Sequence, residues 1–201
     1  MVEAEKETIL NLIKNFQKNN MDLSVINVTW NNKENIEEQI KSVFSGCRDL
    51  ECEEIISDNG SGDGTVDFIK KTYPDVKVID NKKNLGFGAA NNRGLDIAKG
   101  EFLLFLNPDM RVEEGSLDAI VDWMREYKDV GIVSPKLVDQ QGTYNWDASP
   151  RRFPKLWEQV ALLLKLPHIF PNMLNSYHMK DLDIDKEQEV DSVRGSFMLM
   201  R

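Results

Sequence analysis

The stretch EFLLFLNPDM, residues 101–110, carries a continuous apolar run from Phe102 to Leu106 that stops abruptly at Asn107, Pro108 and Asp109. A short apolar run bounded by turn signals reads as a strand buried on both faces, and such strands belong to parallel sheets covered by helices. Proline fixes its own φ and disfavours helix in the residue before it, so Asn-Pro reads as the turn that ends the strand. A second reading concerns the acid that follows. Ligands of α/β proteins bind beyond the carboxyl ends of the strands, where the fold would hold the Asp109 carboxylate.

Outward from this stretch the pattern alternates between strand and helix. Residues 23–30 (LSVINVTW) predict the first strand, and Ile36, Ile40, Val43 and Phe44 then mark a helix that closes near Gly46. Residues 53–57 and 76–80 predict two more strands, the former followed by a Gly-rich loop and a helix from Thr65, the latter by a loop and helix within 86–99. Gly100 stands in the C-terminal cap position of that helix. Residues 117–127 predict another amphipathic helix and 131–139 a fifth strand. Strands separated by short helical segments imply right-handed crossovers and a mostly parallel sheet flanked by helices, an α/β, Rossmann-like architecture. Toward the end come a basic loop at 151–154, a strongly apolar helix at 156–166, an acidic exposed loop at 180–189 and a last strand within 189–201. Ahead of the domain at 21–201, Ile9, Leu12, Ile13 and Phe16 give residues 1–20 one apolar stripe, which predicts an appended amphipathic helix.

Composition narrows the classes. A net charge of −9 over 201 residues, with no lysine- or arginine-rich stripe, excludes nonspecific nucleic-acid binding. Cys47 and Cys52 match neither a zinc nor a redox spacing, so two reduced thiols in a cytoplasmic protein are expected. No stretch is long and apolar enough to span a bilayer, and the N-terminus lacks the apolar core of a signal peptide; soluble or peripheral is the expectation. The apolar segment 156–170, near Arg151, Arg152 and Lys155, suits either a membrane surface or a core or lid helix, and the latter is the better reading. His168 and His178 are isolated and read as surface or satisfied residues.

Two further motifs carry chemistry. SDNGSGDGT, residues 57–65, fails as a dinucleotide fingerprint because Thr65 stands where glycine is needed, and as a calcium loop because Lys70 stands where the bidentate glutamate belongs. What remains is Asp58 at a strand end, either capping a turn or accepting from the N–H of a flat base. In NKKNLGFGAANNRG, residues 81–94, Gly86 and Gly88 allow close backbone approach, while Asn91, Asn92 and Arg93 offer amide and guanidinium groups from a helix for which asparagine pairs are poor formers. A diphosphate brought to so acidic a chain needs a cation between, so Asp109 reads as a ligand to Mg²⁺ or Mn²⁺, hard ions that prefer carboxylate and phosphate oxygens.

Taken in order and spacing, TWNN (29–32), SDNGSGDGT, NLGFGAANNRG and FLNPD strongly resemble the family 2 glycosyltransferases, in their rhamnosyltransferase-like branch with the GT-A fold. The likeness runs from about residue 23 to 201 and includes GIVSPKLVD, SPRRFP and VRGSFMLMR. It implies inverting transfer of a sugar from a nucleotide-diphosphate donor, dTDP-rhamnose or a UDP-sugar, to the hydroxyl of a saccharide or lipid-linked saccharide in surface polysaccharide synthesis. A non-catalytic nucleotide-sugar-binding module is the alternative. The resemblance puts Thr29 and Asn31 beside the nucleoside, Asp58 on the base, Asn92 or Arg93 near base or ribose, and Gly88 in the same nucleotide-sugar site. Asp109 matches the last acid of the metal motif, with Asn107 where the commonest pattern has its first Asp. Arg194, Gly195 and Ser196 match the segment flooring the sugar and acceptor site. The family's acidic base follows that segment, so it is expected beyond Arg201, in a chain truncated there. Such a protein would work in the cytoplasm, at or near the inner face of the membrane.

Overall fold

The computed structural model describes residues 21–146, 148, 150–166, 169 and 174–201. The expected helix at 1–20 and His168 lie outside these residues. In chain order the elements are β1 (Met21–Thr29), α1 (Ile36–Gly46), β2 (Cys52–Asp58), α2 (Thr65–Thr72), β3 (Lys77–Asp80), α3 (Phe87–Leu95), β4 (Gly100–Leu106), α4 (Ser116–Glu126), β5 (Ile132–Val133), α5 (Leu156–Leu163) and β6 (Phe197–Met200). The chain divides into two compact units, the first ending at Gly131 and taking back Leu199–Arg201, the second being Ile132–Met198.

In the first unit the strands run β3-β2-β1-β4, every pair parallel, and β6 follows beside β4. Register is fixed by burial: Leu23 lies between Cys52 and Phe102, and Thr29 stands opposite Asp58. One face of the sheet packs Ile56 against Ile36, Ile40, Ile69 and Val76. On the other face Ser24 Oγ donates to Glu53 at 2.6 Å, and Ile26 meets α3 so closely that a Cβ on Gly94 would lie 2.5 Å from its Cγ2. Alternation along the strands therefore puts Asn27, Thr29, Glu54 and Asp58 on the face of α1 and α2.

Four expectations change. Gly100 does not cap a helix, since α3 ends at Leu95; it opens β4, where a Cβ would stand 2.3 Å from the Ser24 backbone nitrogen. The fifth strand is only Ile132–Val133, because Pro135 has no N–H to give a ladder. Helix α5 is not packed away: Leu156 is 78% and Leu163 82% exposed.

Cys47 and Cys52 are not free thiols but form a disulfide, with Cα atoms 6.5 Å apart. The bond is possible because α1 and β2 are joined by a loop that folds back on itself. Its organiser lies far away in sequence. The Asp118 carboxylate of α4 accepts from the N–H groups of Arg48 (2.8 Å), Asp49 (3.2 Å) and Leu50 (3.1 Å). Asp118→Ala strands these donors at a partly exposed site and is expected to cost about 1–2 kcal/mol. Thermal unfolding should show this as a Tm lower by roughly 3–8 °C with nucleotide binding unchanged; a Tm within a degree of the parent's would refute the clamp.

Candidate functional site

Winding proceeds from β1 to β2 and β3 on one side, then returns to place β4 on the other side of β1. The carboxyl ends of β1 and β4 thus flank a switch point, where adjacent loops part and leave a crevice. Four loops over this edge, those after β1, β2, β3 and β4, belong to the sequence-predicted site, and they are stitched together.

Asn31 takes a left-handed backbone (φ 49°), a conformation asparagine tolerates better than most residues. Its N–H donates to Ser61 Oγ at 2.7 Å, and its Oδ1 accepts from Gly62 N–H at 2.8 Å. Lys33 N–H donates to Asp63 Oδ2 at 3.1 Å, while Asp63 Oδ1 accepts from both the N–H (3.0 Å) and hydroxyl (2.6 Å) of Thr65, opening α2. These contacts leave an open cavity of about 650 Å³, lined by residues 31–35, Gly62 and Asp63. That volume suits a nucleotide-sized ligand.

Asp58 is fully buried, and its carboxylate is filled by its own turn. Oδ2 accepts from Gly60 N–H (2.9 Å) and Ser61 N–H (2.8 Å), and Oδ1 accepts from Ser61 Oγ (2.5 Å). It first of all shapes the loop that meets Asn31. Thr29 is buried below, its hydroxyl without a hydrogen-bond partner. The third loop rests on the second: a Cβ on Gly60 would lie 2.8 Å from Lys83 N, and Asn59 Oδ1 accepts from Leu85 N–H at 3.3 Å. Gly88 is exposed with open space around it. The asparagine pair divides its work, since Asn91 turns back to the Phe87 carbonyl (3.1 Å) while Asn92 faces out. Exposed Arg93 donates from Nε to Asn81 Oδ1 at 3.4 Å.

After β4, Met110 N–H closes a turn on the Asn107 carbonyl at 3.1 Å. The Arg111 guanidinium holds this turn, donating to the carbonyls of Met110 (2.9 Å) and Asn35 (3.0 Å). Asn32 Nδ2 reaches the Pro108 carbonyl at 3.5 Å, a long contact linking the β1 and β4 loops. Held in this way, Asp109 is exposed, and its carboxylate makes no hydrogen bond or ion pair with any described residue; the Asn107 side chain is equally unengaged. Sequence reasoning misses Asn32, Ser61 and Arg111. TWNN and SGDG give some signal for the first two, and nothing local marks Arg111.

In the second unit, exposed Arg194 and half-buried Gly195 and Ser196 directly precede β6. His178 is half-buried beside the Tyr177 ring, centroids 5.2 Å apart.

Among the described residues no group of three or more His, Cys, Asp or Glu side chains comes together to hold a metal ion. A cage made by protein alone is thus not built there. A cation that takes one carboxylate and completes its shell with phosphate oxygens and water does fit the bare Asp109.

A parallel sheet wound both ways from its first strand, with polar loops tied over the switch point, defines an α/β protein of the GT-A class. The family model "Glycosyl transferase family 2" matches residues 24–185, and the chain belongs to that family. It is 28% identical over 158 residues to an N-acetylglucosaminyl-diphospho-decaprenol L-rhamnosyltransferase of Mycobacterium tuberculosis (strain CDC 1551 / Oshkosh), covering 73% of this chain and 51% of that protein. It is 31% identical over 137 residues to the poly(ribitol-phosphate) beta-N-acetylglucosaminyltransferase TarP of Staphylococcus aureus (strain N315), covering 66% of this chain and 39% of that one. The solved structure of S. aureus TarS 1-349 in complex with UDP superposes with a TM-score of 0.54 at 26% identity, over 65% of this chain and 40% of TarS 1-349. The chain spans about half the length, or less, of these relatives.

Proposed function

We propose that the chain binds a nucleotide-diphosphate sugar at the β1/β4 crevice and belongs to an inverting glycosyltransferase of surface polysaccharide synthesis. The observation that carries this reading is the unpartnered Asp109 carboxylate, presented over a switch point by a turn that Arg111 and Asn32 hold. Asn31 and the loop shaped by Asp58 would wall the nucleoside, over Thr29. Gly88, Asn92 and Arg93 would approach base and ribose, and Asn107 the diphosphate. Arg194, Gly195 and Ser196 would serve sugar and acceptor, a role carried over from the family. Bound at Asp109, Mg²⁺ or Mn²⁺ would supply Lewis-acid neutralisation of the leaving diphosphate.

We take a UDP-sugar or dTDP-rhamnose as donor and a saccharide or lipid-linked saccharide as acceptor, reached from the cytoplasmic side of a membrane; TarS 1-349 is solved with UDP, and the M. tuberculosis relative is named for rhamnosyl transfer to a decaprenol-linked N-acetylglucosamine. A thermal-shift panel of UDP, dTDP, GDP and ADP with Mn²⁺ tests the donor, because a ligand that binds only the native state raises apparent stability. UDP or dTDP should raise Tm by several degrees at 1 mM, roughly the response to a ligand at 100 times its Kd. A panel in which none of the four shifts Tm would refute the reading.

A further inference from the structure

An ordinary surface helix turns its apolar stripe inward and its charges to water. Helix α5 does the reverse. Its buried positions are Glu158, 1% exposed, and Ala161, 2% exposed, whereas Leu156, Trp157, Val160, Leu163 and Leu164 all face solvent. These five fall at helical spacing, one turn above another, so they form a single stripe and not scattered residues. The acid inside has a structural role. Glu158 Oε2 accepts from Lys155 N–H at 2.7 Å while Glu158 N–H donates to the Lys155 carbonyl at 3.0 Å, a reciprocal cap of the first turn. With this acid turned inward, Lys155 and Lys165 are the charged groups that residues 155–166 present outward, while Asp181 and Asp191 are engaged by Arg152 and the Phe153 N–H just ahead of the helix. Lys155 precedes the helix and Lys165 follows it, both exposed, and neither ammonium has an ion-pair partner among the described residues. The run 151–166 holds two Arg, two Lys and one Glu, so it is locally basic in a chain of net charge −9.

We infer that α5 docks on an anionic lipid surface, its leucines and Trp157 in the headgroup and upper acyl region and its two lysines on lipid phosphates. A second copy of this chain is the less favoured occupant, because it would bring the same two ammonium groups to a helix whose own carboxylate, Glu158, is buried. A lipid surface satisfies both halves of the feature: apolar area enters the acyl boundary, and lysine stems reach up to phosphate. Each unpaired lysine near such a surface adds attraction that falls off within a Debye length, so the contact should weaken with salt. This inference deepens the membrane clause of the proposed function and rests on that clause alone.

The test is co-flotation of the full chain with vesicles of phosphatidylglycerol and phosphatidylcholine in equal parts, or of phosphatidylcholine only. The parent should float with the anionic vesicles at low salt and float several-fold less with the neutral ones. The double variant Leu156→Asp with Leu163→Asp, changed only at exposed positions, should lose roughly tenfold or more of that binding. Lys155→Glu with Lys165→Glu should remove the preference for anionic lipid. UDP-induced Tm shifts measured on the same preparations show that each variant is folded, and they separate failure of this inference from failure of the donor reading. A parent that stays at the bottom of the gradient, or a double aspartate variant that floats equally well, overturns the inference. So does sedimentation showing that the parent dimerises through the stripe and that the double variant is monomeric.

Discussion

Asp109→Asn is expected to weaken Mn²⁺-supported UDP binding by on the order of 100-fold while leaving folding untouched. The stability half follows from exposure: the carboxylate has no protein partner to lose, and such surface changes usually stay within ±0.5 kcal/mol. The binding half has a sign that discriminates. On the proposed reading, the carboxylate would be a ligand when the cation is present, and its loss would weaken the diphosphate's hold. In EDTA the same carboxylate is a like charge facing a diphosphate, so the variant should bind UDP as well as the parent or slightly better. Calorimetry in both buffers makes the check. Equal loss in manganese and in EDTA would mean that Asp109 contacts the nucleotide directly and not through a metal, and no loss in either would remove it from the site.

Position at this site is legible where the signal is local. The run 102–106 followed by Asn-Pro-Asp marks both a buried strand and its end, because periodicity and proline geometry act over neighbouring residues. Orientation is not legible. Asp58 stands where its strand-end position suggests, yet its oxygens are filled by Gly60 and Ser61, a distinction that depends on how one turn closes. Arg111 reaches Asn35 across 76 positions, and Asp118 clamps a loop about 70 residues away; nothing in a window of sequence marks such pairs. Gly100 misleads because a helix cap and a close backbone approach both call for glycine. Helix α5 misleads in another way: apolar content suggests burial, while the side the helix buries is set by Glu158 and Ala161.

The largest pH effect should come from a residue away from the ligand. Glu54 lies in the middle of β2, fully buried, with neither carboxyl oxygen in a hydrogen bond. Burial pushes its carboxyl up to about 7; the nearby Gln39 amide opposes this weakly, since it makes no hydrogen bond of ordinary length to it. Its neighbour Glu53, on the other face, goes the opposite way. Burial would raise Glu53 too, but Lys77, Ser24 Oγ and Lys99 N–H outweigh it and hold that carboxyl below its usual range. The two acids therefore act in separate windows. Glu53 stabilises the fold above the ordinary carboxylate range, and that contribution is lost in acid as pH falls through its lowered value. Glu54, raised in the folded state, contributes stability that is fully present below about 4.5, its unfolded value, and is lost as pH climbs to about 7. A shift of that size corresponds to about 3 kcal/mol between pH 4.5 and 8. Glu54→Gln keeps the shape and removes the titration, so its stability curve should be flatter between pH 5 and 7, and at pH 8 it should exceed the parent by roughly 2–3 kcal/mol. Urea unfolding at pH 5, 6, 7 and 8 reads the difference directly. A variant that tracks the parent across those four points would show that Glu54 is already ionised in the fold, which needs a partner that its surroundings, Asn27 and Gln39 included, do not supply.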